Sequence, residues 1–107
     1  MGIPTRSLLF EDEDGYAFAD FYENGQVVIH SHLKVDPTPT VLKKASAVSE
    51  MIGEAFREKG YTELYTWGYT DAHERYNVFL QYFPTGNEVN IEGWDGPTMF
   101  EYKKVLN

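Results

Sequence analysis

The chain contains no cysteine, which excludes disulfides and thiolate metal sites. No apolar run approaches the roughly 20 residues that a membrane-spanning helix needs. The first ten residues, Met1 to Phe10, carry neither an apolar signal core nor a small-residue cleavage site. Gly2 invites N-myristoylation, but Arg6 precedes Ser7 and the residues that follow read as a strand. A cytoplasmic protein with no membrane partner is expected. Basic residues are scarce: nine Lys and Arg stand against seventeen Asp and Glu, a formal charge of −8. Such a surface repels phosphate backbones, and the only basic pairs are Lys43-Lys44 and Lys103-Lys104. No nucleic-acid partner is expected. The acidity instead suits solubility, a basic protein partner, or mimicry of a nucleic acid. A G-x-S-x-G elbow, a P-loop and a dinucleotide-binding glycine fingerprint are all missing.

What is present is enough for a folded core. Two Trp, eight Tyr and seven Phe in 107 residues supply the apolar area that offsets chain entropy. The length fits a single domain, 1–107. Ser7–Phe10 and Tyr16–Tyr22 read as strands around the acidic turn Glu11-Asp-Glu-Asp-Gly15, and Glu23-Asn-Gly25 reads as a hairpin turn. Gln26–Val35 is the longest strand. It places Val27, Ile29, Ser31, Leu33 and Val35 on one face, with Val28, His30, His32 and Lys34 on the other. Thr40 is the expected N-cap of a helix that stops at Gly60. Its stripe is Val41, Ala45, Val48, Ile52 and Ala55/Phe56, widened by Leu42 and Met51.

Tyr61–Trp67 follows as an aromatic, β-branched strand. Asp71-Ala-His-Glu74 has the form of a capping box and opens a second helix through Leu80. Pro84-Thr-Gly86 ends that segment, Glu88–Glu92 and Thr98–Leu106 are strands, and Trp94–Pro97 is a turn. The fold class is α/β (α+β): a mixed sheet in the order β-β-β-α-β-α-β-β, with the strands flanking the long helix parallel.

Three constellations could carry chemistry. Glu11, Asp12, Glu13 and Asp14 offer oxygen ligands for a hard cation, but their spacing is not that of an EF-hand and reads as a solvated turn. His30 and His32 project from one strand face, suiting either a general base or, with His73 or a carboxylate, zinc. With no further ligand motif, no metal is assigned. Lys43 and Lys44 stand in the first turns of the long helix. With the free amides there and the hydroxyls of Thr38 and Thr40 they would form an anion site, the alternative being two lysines that reach into water.

The helix end Phe56-Arg-Glu-Lys-Gly-Tyr-Thr-Glu-Leu64 and the stretch Arg75-Tyr-Asn-Val-Phe-Leu-Gln-Tyr-Phe-Pro-Thr-Gly86 resemble the GNAT superfamily of N-acetyltransferases. The family pattern at the second stretch reads R-F-Y-E-K-L-G-F-x-P-T-G. The resemblance covers residues 16–106, 75–86 most specifically, and its Arg-Tyr-Asn portion is similar to that of small phage-encoded GNAT-like proteins. It implies a truncated GNAT-like sheet that begins near the family's second strand. It also implies acetyl-CoA as cofactor, seated where the strands ending near Val35 and Thr66-Trp67 splay apart. The phosphates would then lie on Thr38, Thr40, Lys43 and Lys44, with Asn77 also on the cofactor, His32 as general base and Tyr76 as acid. The chain departs from the family in three places. Asp36-Pro-Thr-Pro-Thr40 replaces the glycine-containing diphosphate loop, Asn77 aligns with the family's proton-donating tyrosine, Tyr76 lying about 100° around the helix, and nothing in the sequence matches the family's first strand and the two helices after it, which help build the acceptor site. Two functions are therefore expected from the resemblance. One is an acyl-CoA-dependent N-acyltransferase; the other is a non-catalytic GNAT-fold module that binds or inhibits a protein partner, or forms a homodimer.

Overall fold

The computed structural model describes residues 2–107; Met1, the first residue of the stretch searched for a signal peptide, lies outside them. Eight elements follow in the order β1 (Thr5–Glu11), β2 (Gly15–Phe21), β3 (Val27–Leu33), α1 (Pro39–Glu58), β4 (Glu63–Gly68), α2 (Asp71–Phe79), β5 (Phe83–Val89) and β6 (Met99–Val105). They build one six-stranded mixed sheet, ordered β1-β2-β3-β4-β6-β5. β3 and β4 are parallel, as a helical crossover between neighbouring strands requires, and every other pair is antiparallel. The core lies between one sheet face and the helices. Ala19, Val27, Ile29, Leu64 and Tyr102 from the strands meet Phe56 of α1 and Leu80 and Tyr82 at the end of α2.

Local chemistry accounts for the boundaries, including those that differ from expectation. α1 starts one residue before Thr40, and its cap is Thr38, whose Oγ1 accepts the Val41 N–H at 3.2 Å. Pro39 causes the offset: its fixed φ suits the first helical position, and its missing N–H costs nothing there. The helix stops at Gly60, whose φ of +94° lets Gly60 and Tyr61 donate back to the Arg57 and Phe56 carbonyls. Tyr61 consequently packs edge-on against Phe56 rather than starting β4. α2 is capped by Thr70, which accepts from the His73 N–H, and not by Asp71. Asp71 and Glu74 instead lie in the first turn, where the helix dipole favours carboxylates.

Pro84 is not a terminator but part of β5, and the strand ends at Val89 instead of running from Glu88 to Glu92. A proline fits there because β5 is an edge strand with a register shift between Pro84 and Glu88. β3 is shorter than Gln26–Val35, since the Lys34 N–H leaves the ladder to donate to the Asp14 carbonyl at 2.8 Å.

Candidate functional site

The two parallel strands are in ladder register at Val28 and Tyr65. Past that pair the Ile29 carbonyl is met by the Thr66 hydroxyl at 2.7 Å, a side chain replacing a ladder bond. A fork follows, running toward the C-terminal ends of β3 and β4. Ligands of α/β sheets bind at such ends. Ile29, Ser31 and Leu33 of β3, Thr66 of β4, and Tyr76 and Asn77 of α2 line a cleft there on the helix side. The cleft continues beneath α1 along Val41, Ala45 and Val48 to Phe10 and the β1–β2 turn, with a free volume of about 60 Å³. Half of the α1 apolar stripe thus faces this gap, while Phe56 is in the packed core.

Asn77 is 7% exposed, and its Nδ2 is buried with no hydrogen-bond partner. The residue lies over Gly68 of β4: a Cβ there would stand 3.1 Å from Nδ2 and 2.8 Å from the His73 Cβ. Beside it, burial holds the Tyr76 phenol above the ordinary 10, offset in part by the Ser31 hydroxyl. Tyr76 is therefore a neutral O–H donor at neutral pH.

The opposite face of the fork is formed by His30 and Trp67, whose rings meet edge-on at 5.1 Å. His30 also lies against Phe18, at 5.0 Å. Its Nε2 is 3.3 Å from Asp20, a carboxylate whose side chain is 3% exposed. Arg6 holds Asp20 through two bonds of 2.8 and 3.0 Å, its guanidinium stacked on Phe18. Burial pulls the His30 pKa below 6.5, against the attraction of Asp20, so the imidazole is neutral at pH 7. This sheet face carries no helix among the described residues.

The structure distributes the sequence-derived site residues unevenly. Tyr76 and Asn77 meet at the fork, on the helix side. His32 is exposed, its ring tilted against Tyr16 at 5.5 Å on the far face. Val35 lies beyond the end of β3 and is 40% exposed. Lys43 and Lys44 leave α1 in different directions. Lys43 lies in an outer groove with Leu42 and Phe79, whereas the Lys44 ammonium reaches Asp12 at 2.7 Å and Asp14 at 2.5 Å. That contact raises the Lys44 pKa and depresses that of Asp12. Asp12, Glu13 and Asp14 bring carboxylate oxygens within 4.8 Å of one another, and an ammonium already stands among them.

At the start of α1 the anion-binding groups are largely engaged. Pro37 and Pro39 have no N–H. Thr38 donates to Asp36, Val41 to the Thr38 hydroxyl, and Leu42 to the Thr38 carbonyl, which leaves the Thr40 N–H and the Lys43 ammonium. A diphosphate needs several converging amides, so this loop does not fit that part of coenzyme A. The fork does fit its thioester end: a buried N–H donor without an acceptor is what a carbonyl would satisfy. The resemblance placed the cofactor beside Thr66-Trp67, but sequence reading passed over Ser31 and the Arg6–Asp20 pair as site residues. The parity of β3, which turns Ser31 toward the helices, was their one visible signal.

Comparison with known proteins addresses the fold. No family model matches the chain, and no curated protein does. A solved structure from Agrobacterium tumefaciens, provisionally described as an acetyltransferase, matches over 97% of this chain and 78% of that one, with a TM-score of 0.62 at 14% identity. It supports the fold that the resemblance implies and not the phage origin. No helix among the described residues is long and apolar enough to cross a membrane. The chain has an acetyltransferase-like fold: a six-stranded mixed sheet and two helices, in the order expected from sequence.

Proposed function

We propose that this chain binds an acyl thioester at the β3–β4 fork and transfers the acyl group to an amine. The observation that carries this reading is the unpartnered Asn77 Nδ2, buried at the opening of the parallel pair beside Tyr76. A donor in that position would hold a carbonyl oxygen and stabilise the charge that develops on it. Acetyl-CoA or a related donor supplies an activated acyl carbon that an amine attacks directly. Tyr76 would donate the proton that the departing sulfur needs. His30, neutral and facing Trp67 across the fork, would accept the proton lost by the amine. The β3–α1 loop contributes little to holding the donor, so binding energy would come from the acyl and pantetheine portion.

Thermal shift and calorimetry with acetyl-CoA and with S-acetyl-pantetheine test this. Both should stabilise the protein, with affinities within about tenfold of each other. No response to either at millimolar concentration would sink the acyl-thioester reading. Tight binding of acetyl-CoA alone would show that the diphosphate is gripped after all.

A second reading is favoured by two observations. Lys44 is held by Asp12 and Asp14, and the helix-free sheet face presents Tyr16, Phe18 and Trp67. On this reading the chain is a non-catalytic module that uses the face for a protein partner or a second copy. Light scattering after size exclusion distinguishes a dimer from a monomer.

A further inference from the structure

Interiors are normally packed to crystal-like density, so an apolar gap between a helix and its sheet calls for an occupant. The gap beneath α1 is floored by Ala17 and Ile29 and roofed by Val41, Ala45 and Val48. Larger side chains at the two alanines would fill it. One end is at the fork, where Asn77 leaves a buried donor without an acceptor. The other end is closed by charge, with the Lys44 ammonium between Asp12 and Asp14. An apolar stretch between a polar mouth, formed by Ser31, Thr66, Tyr76 and Asn77, and a charged end wall is complementary to a short aliphatic chain that carries a carbonyl at one end. Water is a poor occupant of the middle stretch, because it needs two to four polar partners and the Ala17, Ile29, Val41, Ala45 and Val48 side chains offer none.

We propose that this cleft is an acyl-chain channel that selects donors with a short unbranched acyl group, longer than acetyl, the carbonyl on Asn77 and the tail directed under α1 toward Phe10. The proposal rests on the acyl-thioester reading and names its substrate class. A free volume of about 60 Å³, at about 10–15 Å³ for each water-sized group, admits about four to six methyl or methylene groups. Butyryl and hexanoyl groups therefore fit. A much longer chain would press its methyl end against the Asp12–Lys44–Asp14 cluster, breaking those contacts without replacing them.

Calorimetry with S-acyl-pantetheines of two, four, six, eight and twelve acyl carbons tests the channel without relying on phosphate contacts. Affinity should rise about fourfold for each added methylene, about 250-fold over the four that separate acetyl from hexanoyl, and should fall again at dodecanoyl. Ala45→Leu, which places a larger side chain in the roof, should abolish the gain for hexanoyl. Equal affinity along the series would overturn the channel and leave the fork reading standing. Binding of no member would overturn both. If the variant fails to fold, the chain-length series on the unaltered protein decides alone.

Discussion

Replacing Asn77 by leucine should make the protein more stable and less able to bind. Asn77 is 7% exposed, and its Nδ2 has no acceptor. Leaving such a donor unpaired costs about 1–3 kcal/mol. Leucine has nearly the same shape, needs no acceptor, and gains up to about 0.5 kcal/mol in helix propensity. Part of this is lost if the branched end crowds Gly68, where the present contact is already close. A net gain of about 1–2 kcal/mol is expected, which for a domain of this size raises Tm by about 5–15 °C. Urea denaturation and thermal melts measure the gain. The same melts in millimolar S-acetyl-pantetheine should show a shift for the unaltered protein and little or none for Asn77→Leu. A loss of more than about 1 kcal/mol, with the ligand-induced shift intact, would refute the reasoning, because it would mean that the Asn77 amide serves the fold and not a ligand.

Two further perturbations probe the walls of the fork. Burial lowers the His30 pKa below 6.5, so on acidification the unfolded chain takes up the proton first. Stability from this residue is fully present above pH 6.5 and is lost as pH falls from there through the folded-state value. Urea midpoints between pH 7.5 and 5 should fall in the unaltered protein and fall less in His30→Gln; identical slopes would show that His30 is not buried neutral. Gly68→Ala places a Cβ 2.8 Å from the His73 Cβ, which forces α2 off β4 at a cost of about 1–3 kcal/mol. A urea midpoint unchanged in Gly68→Ala would contradict the close approach of α2 that positions Tyr76 and Asn77.

Much of the architecture was legible in the sequence because it is written in local periodicity. The helical spacing from Val41 to Phe56, the Asn-Gly hairpin turn and the stop at Gly60 each act over a few residues, and the observed element order follows them. The caps shifted by one or two positions where a second local rule prevailed: Pro39 at the first helical position moved the cap of α1 to Thr38, and Thr70 displaced Asp71. Pro84 was misread because a proline breaks only those strands that need its N–H. That β5 is an edge follows from the sheet order, which local sequence does not carry.

The candidate site depended far more on tertiary structure. Strand parity alone separated Ser31 from His30 and His32, but not which strand they would face. Only the crossover brought β4 beside β3 and let the pair part after Val28 and Tyr65, so that Thr66, Tyr76 and Asn77 converge on one opening. Lys43 and Lys44 are adjacent in sequence and looked like one anion site. The 100° turn between successive helical residues sends one to an outer groove and the other to two carboxylates contributed by a hairpin some thirty residues earlier. Asn77 looked in sequence like a catalytic tyrosine replaced. Packed over Gly68 with its amide unpaired, it is the most informative side chain in the fork, since only the folded environment decides whether a polar group has found a partner.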